Sequence, residues 1–345
     1  MNKVIINESN RFSALGRYAK DLSTASESPL FTLRLDYSKP EEYFEGKILS
    51  PSQTLKIGNG WYYNHKFPSL SLRKVKSQIN RQISGDTIIH YASQGIPKLN
   101  LKHRFVYTIH DLFGIDENYN KDQKLRNLLK KNLKQVFLSC KIVTNSNFIR
   151  SKLEELDISK EIVTIYPPVS NSFTLINDKE KIRNELRLPL NKKLILSVSS
   201  NDPRKNLNAV LQTKKLLGEE YELVRVGKSL GEGYSFDKVN EDILNKIYNA
   251  CDVLLFPSLA EGFGYPIVEA MTVGLPVVAS NIEVFKEIAG DNAILVEPSP
   301  EKLSIGILSI LDNTKEYELK GINRSKTFSF QRFKAKLNEF YNHLE

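Results

Sequence analysis

The sequence predicts an α/β protein built from two doubly wound parallel-sheet domains. Three observations carry this: β-branched runs alternate with helical patterns through both halves, the length divides into two domain-sized pieces, and adjacent prolines break the pattern near the middle. Alternating strand and helix requires crossover connections, hence parallel sheets covered on both faces. At 345 residues the chain has room for two domains of roughly 150 residues, each able to bury its own core.

The first-half strands are expected at KVIIN (3–7), LFTLRL (30–35), DTIIHY (86–91), RFVYTI (104–109), KIVT (141–144) and IVTIY (162–166). YPPVSNSF (166–173) follows, with turn residues around its prolines, and reads as the linker. The first domain is therefore expected over 1–170 and the second over 171–330. In the second, strands LILSV (194–198), LVRV (223–226), VLLF (253–256), PVVAS (276–280) and ILV (294–296) alternate with helical LNAVLQTKKLL (207–217), EDILNKIYNA (241–250) and PIVEAM (266–271). The last segment, 331–345, is helical in pattern.

Composition narrows the class. MNKVIINESN has only three consecutive apolar residues, too few for a secretory leader, and no stretch approaches the ~18 apolar residues of a membrane span. A soluble, cytoplasmic chain is expected. Cys140 and Cys251 stand far apart without CxxC spacing, which disfavours a disulfide framework or zinc site. Net charge is +9, and residues 1–170 hold 26 Lys+Arg against 16 Asp+Glu, leaving 23 against 24 for the rest. A basic first half attracts phosphates, anionic lipid surfaces or nucleic acid without choosing among them. Within it, FPSLSLRKVKSQINRQIS (67–84) spaces Leu72, Val75, Ile79 and Ile83 like a helix with Arg73, Lys74, Lys76 and Arg81 largely elsewhere. Such a helix either packs on its sheet or rests on an anionic membrane surface.

Ligands of open α/β sheets bind beyond the carboxyl ends of the strands, so the residues just after strands come first. After VLLF the chain runs EGFGYPIVEA (261–270): Glu261 and Glu269 flank a loop of two glycines, and Pro266 opens a helix that Gly274 closes. The amides near Phe263, Gly264 and Tyr265 then lie at a positive helix end, suited to a phosphate. Glu269, expected in the first helical turn, can accept from a ribose diol, at roughly 1.5–3 kcal/mol per charged hydrogen bond. Glu261 can accept from sugar hydroxyls. On spacing alone the same acids also read as ordinary decoration of a helix N-terminus.

SVSSNDPRKNLNAVL (197–211) places Arg204 and Lys205 beyond the strand LILSV, where a guanidinium and an ammonium can neutralise a diphosphate. FVYTIHDLFGID (105–116) puts His110 and Asp111 directly after another strand. NRFSALGRYAKDL (10–22) brings Gly16 and Arg17 into the turn after the first strand, and Gly227 starts GKSLGEGYSFDKV (227–239) after LVRV.

SLAEGFGYPIVEAMTVGLPVVASNIEVFKEIAG (258–290) resembles the E-x7-E region of retaining GT-B glycosyltransferases, the large family four of nucleotide-sugar transferases. The resemblance covers about residues 100–295 well and the first hundred loosely. It implies the GT-B fold, two Rossmann-like domains facing across a cleft, with 331–345 crossing back to the first domain. It also implies transfer of a hexose, mannose or glucose, from a nucleotide diphosphate sugar to an acceptor hydroxyl with retention. Glu269 then maps to the ribose-binding acid and Glu261 to the acid near the donor sugar. Phe263, Gly264 and Tyr265 approach the diphosphate, Arg204 and Lys205 bind it, and Gly227 lies in the base-reading loop. His110 lines the active site with Asp111 supporting it, while Gly16 and Arg17 approach donor phosphates or acceptor. Many members carry a Gly-Arg pair where this chain has Ser199 and Ser200, which leaves the number of phosphate contacts open. The family uses neither metal nor cofactor, and none is expected. The expected partners are the donor, a glycan or lipid-linked acceptor and an anionic membrane surface, with peripheral attachment. Two other readings remain: a nucleotide-sugar-binding scaffold without activity, and a nucleic-acid binder suggested by charge alone, which lacks the basic-aromatic motifs of such proteins.

Overall fold

The computed structural model describes residues 2–7, 13–33, 47–49, 54–57, 60–63, 77, 81, 86–93, 103–156 and 161–344. The basic stretch at 67–84 lies outside these residues apart from Ser77 and Arg81. The chain forms two compact units, Met1–Pro167 together with Phe333–Glu345, and Pro168–Arg332. The division falls between the two adjacent prolines.

In the first unit the order is β1 (Asn2–Asn7), α1 (Ala14–Ser26), β2 (Leu30–Leu33), β3 (Lys47–Leu49), β4 (Thr54–Ile57), β5 (Gly60–Tyr63), β6 (Thr87–Tyr91), β7 (Arg104–Ile109), α2 (Gln123–Ser139), β8 (Lys141–Thr144), α3 (Asn147–Glu154) and β9 (Ile162–Thr164). Seven of these strands make a parallel sheet in the order β3-β2-β1-β6-β7-β8-β9. β4 and β5 pair antiparallel apart from it. The core gathers Ile6, Phe31, Ile89, Tyr107, Ile142 and Leu153.

The second unit contains α4 (Lys179–Glu185), β10 (Lys193–Val198), α5 (Leu207–Leu217), β11 (Tyr221–Val226), β12 (Tyr234–Phe236), α6 (Glu241–Ala250), β13 (Val253–Phe256), α7 (Tyr265–Thr272), β14 (Val277–Ser280), α8 (Glu283–Ala289), β15 (Ile294–Val296), α9 (Pro300–Asp312) and α10 (Thr314–Ser325). The closing helix, α11 (Phe330–Asn342), passes into the first unit at Phe333. Six parallel strands are ordered β12-β11-β10-β13-β14-β15. β13 is wholly buried and wholly apolar, as a central strand covered on both faces must be. Ile195, Val253 and Val278 of the strands pack with Val210, Leu303 and Ile307 of α5 and α9. β3 (KIL), β4 (TLKI), β5 (GWYY) and β12 (YSF) are not among the strands the sequence predicts.

Each sheet has one place where the strand order reverses. In the second unit it lies between β10 and β13: the chain leaves β10 to one side for β11 and β12, then returns to its other side with β13. Open α/β sheets bind ligands at such a place, beyond the carboxyl ends of the strands. In the first unit the corresponding place lies between β1 and β6.

Candidate active site

The loops leaving β10 and β13 carry the predicted site residues of the second unit. Pro203–Lys205 forms a short 3-10 turn, capped by Asp202, whose carboxylate accepts from the Arg204 amide at 2.9 Å. The Arg204 guanidinium folds back onto the same carboxylate with bonds of 3.0 and 2.9 Å. Burial pushes the Asp202 carboxyl upward, but the Arg204 bonds and charge outweigh it and hold the group below its ordinary range. The Arg204 carbonyl accepts from the Leu259 amide at 2.7 Å, which ties the loop after β10 to the loop after β13. Across that tie Lys205 Nζ meets Glu261 Oε1 at 2.5 Å, with both side chains largely buried, and Nζ lies 5.8 Å from the centre of the Phe256 ring. The predicted cation and the predicted sugar acid are thus partners.

Gly264 caps α7 from the left-handed region at φ +114°, with Pro266 in the first turn. A Cβ there would sit 3.0 Å from the Phe285 ring, so glycine is demanded twice, by angle and by space. Phe263 is buried, edge-on to Tyr265 and to Phe328, so its side chain serves packing and only its amide is at the helix end. Glu269 was expected in the first turn. The helix begins at Tyr265, one residue before Pro266, which puts Glu269 just past the first turn, and no acid stands in that turn. Glu269 is 2% exposed and accepts from the buried Tyr248 hydroxyl of α6 at 2.7 Å.

Gly227 follows β11 at φ +133°, and a Cβ there would lie 2.4 Å from the Ser199 carbonyl. Its amide donates to Phe236 O at 2.8 Å, holding β12 against β11. Glycine at 227 therefore lets the exits of β10 and β11 pass in near contact. Beside it Arg225 is fully buried, a charged residue that sequence reasoning left inside an apolar strand.

In the first unit, His110 follows β7 and is 3% exposed. Its Nε2 lies 2.7 Å from the Ala92 carbonyl, which fixes the proton on that nitrogen. Burial pushes the His110 pKa down to about 4, against the opposing pull of the Ala92 bond. At neutral pH the ring is uncharged, and its basic Nδ1 faces Asn145 Nδ2 at 3.5 Å. Asn145 also donates to the His110 carbonyl at 3.1 Å. The Asp111 carboxylate accepts from the Phe113 amide at 3.2 Å, shaping the turn. Tyr18 of α1 meets the His110 ring edge to face at 4.7 Å, and its hydroxyl lies 2.9 Å from Thr108 Oγ1. Thr108 in turn lies 2.8 Å from His90 Nε2, and His90 Nδ1 lies 2.6 Å from the Tyr341 hydroxyl of α11. Gly16 is buried in α1 with its amide donating to the Ser13 cap at 3.0 Å, and Arg17 follows it.

Tyr248, Asn145, Asp202 and Arg225 escape sequence reasoning because each acts through a partner distant in the chain or a turn not visible in composition. Arg225 alone carried a signal, a charge within LVRV. Among the described residues no three His, Cys, Asp or Glu side chains gather as a metal site, and no helix is long and apolar enough to cross a membrane.

Residues 178–326 match the family described as Glycosyl transferases group 1. O-antigen chain mannosyltransferase B of Escherichia coli is 28% identical over 274 residues, 68% of this chain and 70% of that protein. O-antigen chain mannosyltransferase RfbU of Salmonella typhimurium is 29% identical over 217 residues, 56% of this chain and 57% of that protein, so the match spans little more than half its length. Among solved structures, a sucrose-phosphate synthase from Thermosynechococcus elongatus superposes with a TM-score of 0.81 at 18% identity, covering 100% of this chain and 99% of that one. Anabaena HepE, solved with UDP and glucose, gives 0.79 at 15% identity, covering 99% of each. At these identities the structures speak for the fold, and they bear out the expected GT-B class of two Rossmann-like parallel-sheet units.

Proposed function

From a chain whose second unit carries the group 1 glycosyltransferase domain, we propose a retaining enzyme that moves mannose from a nucleotide diphosphate sugar to a hydroxyl of a glycan. The chain is a glycosyltransferase; the sugar, the donor and the stereochemistry are the proposal. The observation that carries it is the Lys205–Glu261 pair at the strand-order reversal, beside the N-terminal end of α7. A diphosphate placed there meets Lys205, Arg204 and the amides around Gly264, while Glu269 accepts from the ribose.

Negative charge grows on the diphosphate as the glycosidic bond breaks, so these fixed cations and amides bind the transition state more tightly than the donor. When phosphate takes Lys205, Glu261 is released toward the sugar, where its charge favours the positive anomeric centre. The departing phosphate oxygen takes the acceptor proton on the same face, which gives retention. Basic groups and a helix end thereby do the work that a metal ion does elsewhere, so no metal or cofactor is proposed. His110, buried and uncharged in the first unit, is proposed to contribute as a neutral hydrogen-bonding ring.

The mannosyltransferase relatives act on O-antigen chains by name, which favours mannose and a polysaccharide acceptor, lipid-linked in the proposal. Helix α2 suits attachment to an anionic membrane: it bears Lys124, Arg126, Lys130, Lys131 and Lys134 and no acid, with the lysines exposed. Each cation near such a surface contributes about 1 kcal/mol. Thermal shift against nucleoside diphosphate sugars tests the donor, since a ligand at 100 times its Kd adds about 2.7 kcal/mol. GDP-mannose should give the largest shift, and proton NMR of the product should show the donor's anomeric configuration. A panel without any shift, or an inverted product, would overturn the proposal.

A further inference from the structure

Arg225 is one of two buried arginines among the described residues; the other, Arg183, pairs with Asp252 at 2.7 Å. Among the described residues Arg225 reaches only neutral oxygens: Lys228 O at 3.1 Å, Ser197 Oγ at 3.3 Å, Ser199 Oγ at 3.2 Å, Ser199 O at 2.7 Å, Ser200 O at 3.5 Å and Asn201 Oδ1 at 3.1 Å. A buried cation without a carboxylate is costly to maintain. Burial pushes its pKa below the ordinary guanidinium value, a strain that a nearby anion would relieve.

The contacts also orient the loop after β10. In a planar trans peptide the C=O and the next N–H point in opposite directions. Ser199 O and Ser200 O turn inward to the guanidinium, so the amides of Ser200 and Asn201 turn outward. Both residues are exposed, and among the described residues no group accepts from these amides. Two consecutive outward amides form a small concavity suited to an anion. The neighbouring cations are each held by a carboxylate, Arg204 by Asp202 and Lys205 by Glu261, whereas the charge beneath this concavity has no anionic partner among the described residues.

We propose that the Ser200 and Asn201 amides, backed by Arg225, form an anion subsite for a phosphoryl group of the donor's diphosphate, with Arg225 acting as its positioning residue. The inference rests on the donor reading above and adds a grip outside the α7 helix end and the Arg204–Lys205 pair. It also supplies from β11 a guanidinium beneath Ser199 and Ser200.

The test compares GDP and UDP with guanosine and uridine, using calorimetry for the diphosphates and ligand-observed NMR for the nucleosides, on the full chain. Two variants are measured beside the native protein, Arg225→Gln and Ser200→Pro, the latter removing one outward N–H at an exposed position. Both should lose diphosphate affinity by about tenfold or more, the scale of a charged hydrogen bond, while nucleoside affinity holds. Equal losses for diphosphate and nucleoside would reduce Arg225 to a loop brace and overturn the subsite. If Arg225→Gln fails to fold, Ser200→Pro decides alone, and retained diphosphate affinity in it overturns the proposal. A native protein that binds neither diphosphate would overturn the donor reading and the subsite with it, a result distinct from loss of effect in the variants.

Discussion

Lys205 and Glu261, 56 residues apart in sequence, meet at 2.5 Å where the loops after β10 and β13 cross. In the proposed mechanism the pair divides the labour between binding and chemistry. Lys205→Met should weaken nucleoside diphosphate binding by about 1.5–3 kcal/mol, the value of a charged hydrogen bond. Glu261→Gln should chiefly lower kcat, by about 100-fold or more if it stabilises developing charge. Calorimetry and initial-rate kinetics separate these effects; a Glu261→Gln enzyme with native kcat removes the acid from the mechanism.

Glu269 is held by the Tyr248 hydroxyl at 2.7 Å in a fully buried setting. Glu269→Gln keeps the shape and loses the charge, and should raise the donor's Kd about tenfold or more with kcat less affected. Tyr248→Phe removes that hydrogen bond and should produce a smaller rise in the same direction. Unchanged Kd in both variants contradicts a ribose contact at Glu269.

Gly227→Ala and Gly264→Ala test conformation instead of chemistry. Each glycine has positive φ, and the added methyl would lie 2.4 Å from Ser199 O at 227 and 3.0 Å from the Phe285 ring at 264. Strain at such an angle costs on the order of 1–3 kcal/mol, and the backbone clash at 227 adds to it. Urea denaturation should show both variants destabilised, with 227 the worse because a carbonyl cannot move aside as a ring can. The reverse ranking would contradict the close approach of the β10 and β11 exits.

The first unit should lose stability on mild acidification. Burial holds His110 at about 4 and His90 at about 3, the latter lowered further by the charge of His110. Unfolded, both titrate near about 6.5. Between pH 6.5 and 4 the unfolded chain therefore takes up protons that the folded unit excludes, and stability falls with pH. The slope is at most about 1.4 kcal/mol per pH unit for each histidine. Denaturant midpoints at pH 7 and pH 5 should differ, and His110→Asn should flatten the difference. Equal midpoints in the native protein would show that the rings are not buried uncharged.

The parallel sheets were legible because buried central strands such as VLLF and KIVT are continuous apolar runs bounded by polar turns. The loop 261–265 was legible because Gly264 and Pro266 mark a helix start in any context. Glu269 falls one residue further into the helix than the sequence suggests because the same proline is compatible with more than one N-terminus, and only the Gly264 conformation settles which applies. Tyr248 and Arg225 stayed hidden for another reason. Their partners are chosen by how α6 docks beside α7 and how β11 registers on β10, and neither quantity is encoded locally. A charge inside a four-residue apolar run gives no sign of whether it ends in solvent or beneath a neighbouring loop.

The first unit is discontinuous, since Phe333–Glu345 completes it and brings Tyr341 to His90. On the ribosome, residues 1–167 emerge with the seat for that tyrosine unfilled, and the filling segment is translated only after Pro168–Arg332. The contiguous second unit can close while it is still tethered to the exit tunnel. The half that comes first in the sequence is thus completed last, by a segment made only after the whole of the second unit.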